Sequence, residues 1–301
     1  MPTTTGAGHD LRGRIALVTG GSAGIGRAVA TRLAERGATV LAVSRSGGAG
    51  AACVADLVRR TRDASHRFLP ADLSSLAEVR AVAAEVRARY PRLDVLVNNA
   101  GGFFPWRRTS VDGIEMTFAL DHLAGMLLTL LLLGPLTVAG GRVVTTASLV
   151  AHWGWLHRDV QWRRGYNGAV AYAQARLANV LFTTELARRV PAAALAAHAF
   201  DPGVVRTELG SGPGFLNFCV RVAQAGFGRE VAVAAEAAVF LAADGSVEGT
   251  TGGFWKDGRR LPIPRRARDP ATAARLWQVS LGLLGLEEAE LAPLRRAEAL
   301  R

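Results

Sequence analysis

The chain has 301 residues, half of them hydrophobic, and 20% are charged; its mean hydropathy is +0.18. That composition supports a large core and argues against an extended disordered chain. The formal net charge is +11, but the basic residues are scattered along helical stretches, with no aromatic-plus-basic repeat, so nucleic acid is not expected as a partner. Lys256 is the only lysine among 36 basic residues.

Cys53 and Cys219 have no metal-ligand or redox spacing, so no metal is expected and the pair suits a reducing cytoplasm. The first ten residues, MPTTTGAGHD, lack an apolar core and read as a flexible N-terminus, not a signal peptide. One membrane candidate exists, the Leu-rich stretch 123–139. It is shorter than the roughly 20 residues a span needs, and Gly134-Pro135 interrupts it. It is expected to be a buried helix, with no transmembrane segment.

Short apolar runs alternate with helical patterns from the start. RIALVTG (14–20) precedes a helix, ATVLAVSR (38–45) precedes a helix at 50–61, and HRFLPADL (66–73) precedes one at 75–89. LDVLVNNAG (93–101) leads to the Leu-rich helix, GRVVTTAS (141–148) to a helix at 169–190, and LAAHAFDPG (195–203) to one at 230–242. A last helix is expected at 270–283. This alternation predicts an α/β fold: one doubly wound sheet of about seven parallel strands with helices on both faces. No linker, repeat or low-complexity tract divides it. One domain is expected over residues 11–286, followed by a tail at 287–301.

The first strand runs into Thr19-Gly20-Gly21-Ser22-Ala23-Gly24-Ile25-Gly26 and then directly into a helix. Glycines there let the backbone turn sharply and approach a pyrophosphate, while the helix start offers free N–H groups. Gly20, Ser22, Gly24, Ile25 and Gly26 are therefore candidate cofactor residues. The second strand ends in Ser44-Arg45 where an acidic residue would grip the ribose of NAD. Arg45 can instead pair with a 2′-phosphate, which favours NADP(H) over NAD(H).

Ser148 and Tyr172 stand 24 positions apart, and Arg176 lies one helical turn beyond the tyrosine, on the same face. A cation there stabilises the phenolate form. A serine hydroxyl that holds a carbonyl oxygen, beside a tyrosine that exchanges a proton, is the arrangement of a carbonyl/alcohol oxidoreductase.

These stretches resemble the short-chain dehydrogenase/reductase family, and more closely its retinol-dehydrogenase-like branch. The resemblance rests on TGGSAGIG, Ala71-Asp72-Leu73, Asn98-Asn99-Ala100-Gly101, Ser148, the Tyr172 helix and Asp201-Pro202-Gly203-Val204-Val205-Arg206-Thr207. Leu177-Ala178-Asn179-Val180-Leu181-Phe182 and Leu276-Trp277-Gln278-Val279-Ser280 are similar to that branch. The resemblance implies a Rossmann-type fold with a C-terminal lid helix. It implies that Asp72 and Leu73 flank the adenine, and that Asn99, Ala100 and Gly101 line the cofactor. Pro202, Gly203, Val205 and Thr207 would border the nicotinamide. Ser148 would orient the substrate oxygen and Tyr172 would be the general acid/base, with Tyr166 a rival tyrosine in packing. Subunits of such proteins often pair through helices, so a homo-oligomer is an expectation of the resemblance.

Two positions depart from the family pattern: Arg176 replaces the lysine after the tyrosine, and Asp121 replaces an asparagine before His122-Leu123. Arginine keeps the charge but cannot itself pass a proton. If the two side chains meet, they form a buried ion pair, and the substitutions are coupled because either charge alone would be costly. Phe103, Phe104, Trp106, His152, Trp153, Trp155 and Phe215 are the candidate substrate residues, with the segment 211–227 and the Trp277 helix as the lid. So many aromatics predict a bulky hydrophobic substrate. The expected activity is NADPH-dependent reduction of a carbonyl, or oxidation of an alcohol. A scaffold reused for non-redox cyclisation, isomerisation or elimination in secondary metabolism, or a silent binding module, is the alternative.

Overall fold

Buried Val, Leu and Ala fill both faces of the central strands, so each strand needs a helical layer above and below. The computed structural model describes residues 10–205 and 229–287 and meets that need. Its elements are β1 (Ile15–Thr19), α1 (Gly24–Glu35), β2 (Thr39–Ser44), α2 (Gly47–Thr61), β3 (Arg67–Pro70), α3 (Leu76–Arg89) and β4 (Val95–Asn98). Next come α4 (Met116–Leu131), α5 (Leu133–Ala139), β5 (Gly141–Thr146), α6 (Gly168–Arg189) and β6 (Leu195–Phe200). After these lie α7 (Val231–Ala243), β7 (Gly253–Lys256), β8 (Arg259–Leu261) and α8 (Pro270–Leu284).

The strand order is β3-β2-β1-β4-β5-β6-β7-β8, which places the reversal of winding between β1 and β4. In such a sheet, ligands bind beyond the C-terminal strand ends at that reversal. Seven strands are parallel, as the alternation predicted. An eighth, β8, pairs antiparallel with β7 and was not expected. Its turn is Asp257-Gly258, both at positive φ, and Asp-Gly between short strands is a hairpin signal.

The Leu-rich stretch is a core helix that begins earlier than expected, at Met116, and bends by 65° where α4 gives way to α5. Leu123, Leu127, Leu128 and Leu136 on it are fully buried. No single helix among the described residues is long and apolar enough to cross a membrane.

Trp277, on the helix expected to form a lid, turns into the core. It is 1% exposed and stacks on Phe182 of α6, with ring centroids 6.0 Å apart. The C-terminal helix therefore braces α6. Truncating such a side chain to alanine costs about 3–5 kcal/mol.

Candidate active site

The cofactor loop is shaped by close contact. A Cβ on Gly26 would lie 2.2 Å from the Gly20 carbonyl oxygen and 2.5 Å from Asn99 Nδ2, so only glycine fits. Helix α1 starts at Ala23 without a side-chain cap, which leaves its first N–H groups free for an anion. Thr19 ties this loop to the next strand end: its Oγ1 accepts the N–H groups of Asn99 at 2.8 Å and Ala100 at 3.0 Å. Asn99 Nδ2 donates to the Thr19 carbonyl at 3.0 Å.

Arg45 is exposed at the tip of β2, with no side-chain partner among the described residues. Beside it, Gly47 and Gly48 open α2 with free space above them. Asp72 caps the turn after β3, accepting the Ser74 N–H at 2.9 Å. Leu73 is buried and lines a cavity of about 10 Å³ shared with Asn98, Asp121, Thr145 and Asn179.

Arg176 and Asp121 do meet. The Arg176 Nη2 lies 2.8 Å from Asp121 Oδ2, with side chains 5% and 0% exposed. Asp121 Oδ1 accepts the Gly102 N–H at 2.7 Å, and Arg176 Nη1 donates to the Thr146 carbonyl at 3.2 Å. The guanidinium carbon also stands 4.7 Å over the Tyr172 ring, a cation–π placement. The 2.8 Å contact is ionic, not an aligned hydrogen bond: Oδ2 and the buried Nε each lack a directed partner.

Burial pushes the Asp121 carboxyl up to about 6, against the pull of Arg176 and the Gly102 N–H. Burial alone would lower Arg176, but Tyr172 and Asp121 outweigh it and hold the arginine further in its charged form. Both groups are therefore ionised at neutral pH.

Asp121 sits in a π-turn, Ala119–Leu123, within α4. Such a turn displaces carbonyls from the helix ladder, and Asn179 on α6 compensates. Its Nδ2 donates to the carbonyls of Asp121 at 2.8 Å and Thr146 at 2.9 Å. Asn179 Oδ1 is in turn 3.1 Å from His122 Nδ1, and His122 Nε2 is 3.1 Å from Ser280 Oγ. Burial pushes His122 down to about 4, so it is neutral and structural.

Ser148 is half-buried at the start of a short 3-10 turn, Leu149–His152, its Oγ accepting the Val150 N–H at 3.4 Å. The loop from this turn to α6 is fastened to the tyrosine's own helix. A Cβ on Gly154 would meet the Ala173 carbonyl oxygen at 2.4 Å, so the loop lies directly on α6. The buried Gln174 accepts the His157 N–H at 2.9 Å and donates to the Val160 carbonyl at 2.9 Å.

Tyr166 is a structural tyrosine. Its hydroxyl donates to the Phe104 carbonyl at 2.8 Å and lies 3.3 Å from Glu115 and Thr117, and burial pushes its pKa up.

Of the expected substrate residues, Phe103 meets Tyr172 edge-on at 5.8 Å. Phe104 is held through its backbone. Trp155 packs against Trp162 at 6.2 Å, and His152 against Phe254 at 6.1 Å. Trp106 and Trp153 are 69% and 72% exposed. Pro202, Gly203 and Val205 stand just beyond the end of β6. Thr207, Phe215 and the segment 211–227 lie outside the described residues.

Sequence reasoning missed Gln174, Asn179's bridging role, and Glu115. The last is buried and caps α4 by accepting the Thr117 and Phe118 N–H groups, each at 2.8 Å. Its position before an apolar helix was a readable cap signal; Gln174 offered none.

A doubly wound sheet whose first strand runs through a close-packed glycine turn into an uncapped helix has the architecture of a dinucleotide-binding protein. The chain belongs to the short chain dehydrogenase family, whose pattern matches residues 14–212. A Streptomyces sp. (strain C5) protein carrying the assignment daunorubicin C-13 ketoreductase DnrU is 38% identical over 280 residues, covering 91% of this chain and 94% of that protein. Human retinol dehydrogenase 14 is 34% identical, covering 92% and 88%. A crystal structure of an uncharacterised protein from Mycobacterium paratuberculosis is 32% identical, with TM-score 0.73, covering 93% and 96%.

Proposed function

We propose that the chain is an NADPH-dependent reductase of bulky hydrophobic ketones or aldehydes, able to run in reverse as an alcohol dehydrogenase. The observation that carries this reading is the Tyr172 environment: Arg176 over one ring face, Phe103 at its edge, and the Ser148 loop docked on the same helix. The relatives' names, a ketoreductase and a retinol dehydrogenase, support carbonyl/alcohol chemistry.

The uncapped α1 start and the close-packed glycines fit a pyrophosphate, and Arg45 with the open start of α2 fits a 2′-phosphate. When bound, NADPH supplies the hydride. Ser148 Oγ donates to the substrate oxygen and fixes the carbonyl, and Tyr172 gives its hydroxyl proton to that oxygen as negative charge develops there. Arg176 stabilises the tyrosinate left behind, and Phe103 helps exclude water.

A non-redox reading has one observation in its favour. Arg176 is 4% exposed, its charge is answered by Asp121, and it cannot relay a proton. Absorbance at the nicotinamide band separates the two readings. Ketone-dependent loss of NADPH, abolished by Tyr172→Phe with cofactor binding retained, is the expected result. Product formed with no change in cofactor redox state would refute the reductase reading.

A further inference from the structure

The single lysine stands beside the serine turn. Lys256 ends β7, and its Nζ lies 2.9 Å from Oδ2 of Asp201, whose side chain is 2% exposed. The other oxygen, Oδ1, accepts the N–H of Leu149 at 3.1 Å, the residue directly after Ser148. The strand ends around it are already registered: Ala147 N–H donates to Phe200 O at 2.7 Å, and Asp201 N–H to Trp255 O at 2.8 Å. Bonds within the serine turn are local, from Ala151 N–H to Ser148 O at 3.0 Å and from Val150 N–H to Ser148 Oγ at 3.4 Å. The Asp201 carboxylate is what ties the start of that turn to the neighbouring strand.

A carboxylate this buried needs a counter-charge to remain a strong acceptor. The nearby guanidinium of Arg229 is engaged with Asp257 at 2.6 Å, so Lys256 serves Asp201. A lysine suits the place. Nζ is 4.0 Å, and Arg229 Nη1 3.5 Å, from where a Cβ on Gly203 would lie; a compact ammonium fits where a second planar fork would crowd the first.

We propose that Lys256 is a positioning residue that aims Ser148 through Asp201. The ammonium holds the carboxylate, and the carboxylate holds the amide that sets the serine hydroxyl. The proposal rests on Ser148 being the group that holds the substrate oxygen.

The test uses the full chain with NADPH and a hydrophobic ketone that the wild type reduces, comparing Lys256→Met, Asp201→Asn and the double variant. Lys256→Met is expected to lower kcat about tenfold, because the Asp201 carboxylate, left without its counter-charge, becomes a weaker acceptor for the Leu149 N–H, with the Kd for NADPH unchanged. Exchange of the Leu149 amide, read by NMR, should quicken by a similar factor. In the double variant the amide oxygen introduced by Asp201→Asn can accept the same N–H without a cation, so both effects should largely recover. Unchanged kcat and exchange in Lys256→Met would overturn the proposal. Should that variant fail to fold, the double variant is compared with Asp201→Asn. Equal rates are expected, and a slower double variant would show that Lys256 does not act through Asp201. Amide exchange needs no turnover, so it decides the clamp even if the wild type reduces no ketone and the reading of Ser148 fails.

Discussion

Replacing Asp121 by Asn removes one charge and little else, because an amide oxygen can still accept the Gly102 N–H. The guanidinium of Arg176, 5% exposed, then stands without its anion. Breaking a buried pair from one side costs about 3–5 kcal/mol. The Thr146 carbonyl and the Tyr172 ring face still solvate the cation, so the lower end, about 3 kcal/mol, is expected here. For a chain of this size that is a fall in Tm of roughly 6 °C. Arg176→Lys shortens the cation and loses the Thr146 contact, and the double variant Asp121→Asn/Arg176→Lys should recover about 1–3 kcal/mol of the summed losses. Calorimetric melting of all four proteins is the assay. A pH series adds a sign. The folded carboxyl is raised to about 6 from 3.8, so at pH 5 the native state holds a proton that the unfolded chain has released. Wild type should therefore gain about 1 kcal/mol over Asp121→Asn between pH 7 and pH 5. Strict additivity in the cycle, or a difference that grows with rising pH, would refute the coupling.

Tyr166→Phe should leave kcat within about threefold while costing about 1–2 kcal/mol in melting, since the bond to Phe104 is lost together with the longer contacts to Glu115 and Thr117. Arg45→Ala should raise KM for NADPH about tenfold or more and leave KM for NADH nearly unchanged, because only the 2′-phosphate distinguishes the two. Gly26→Ala should abolish cofactor binding measured by fluorescence, since its methyl group would press on the Gly20 carbonyl.

Much of this architecture was legible because it depends on local pattern. Alternating β-branched strands and amphipathic helices set the parallel sheet, and the turn between β1 and α1 could only be built with glycine. The Asp121–Arg176 pair was legible for another reason: two departures from one family pattern make sense only if they touch. What stayed hidden depends on tertiary contact. Gln174 looks like any polar helix residue until His157 and Val160 are brought to its two ends. The π-turn at Asp121 carries no signature in residues 119–123, because Asn179, distant in sequence, stabilises it. The Trp277 helix read as a lid, yet Trp277 itself stacks on Phe182 inside the core.

The fastening of the serine loop to α6 has a consequence for how new specificities could arise. Gly154 against Ala173, and Gln174 on His157 and Val160, fix three points of the loop to the helix that carries Tyr172. Trp153, just before the first of those points, and Arg158, between the last two, are exposed, whereas Trp155 packs on Trp162. A protein built this way can exchange its recognition surface one side chain at a time while the span between serine and tyrosine stays constant. On the proposed reading, changes at 153 and 158 should therefore alter which substrate is accepted far more readily than they alter how fast an accepted one reacts.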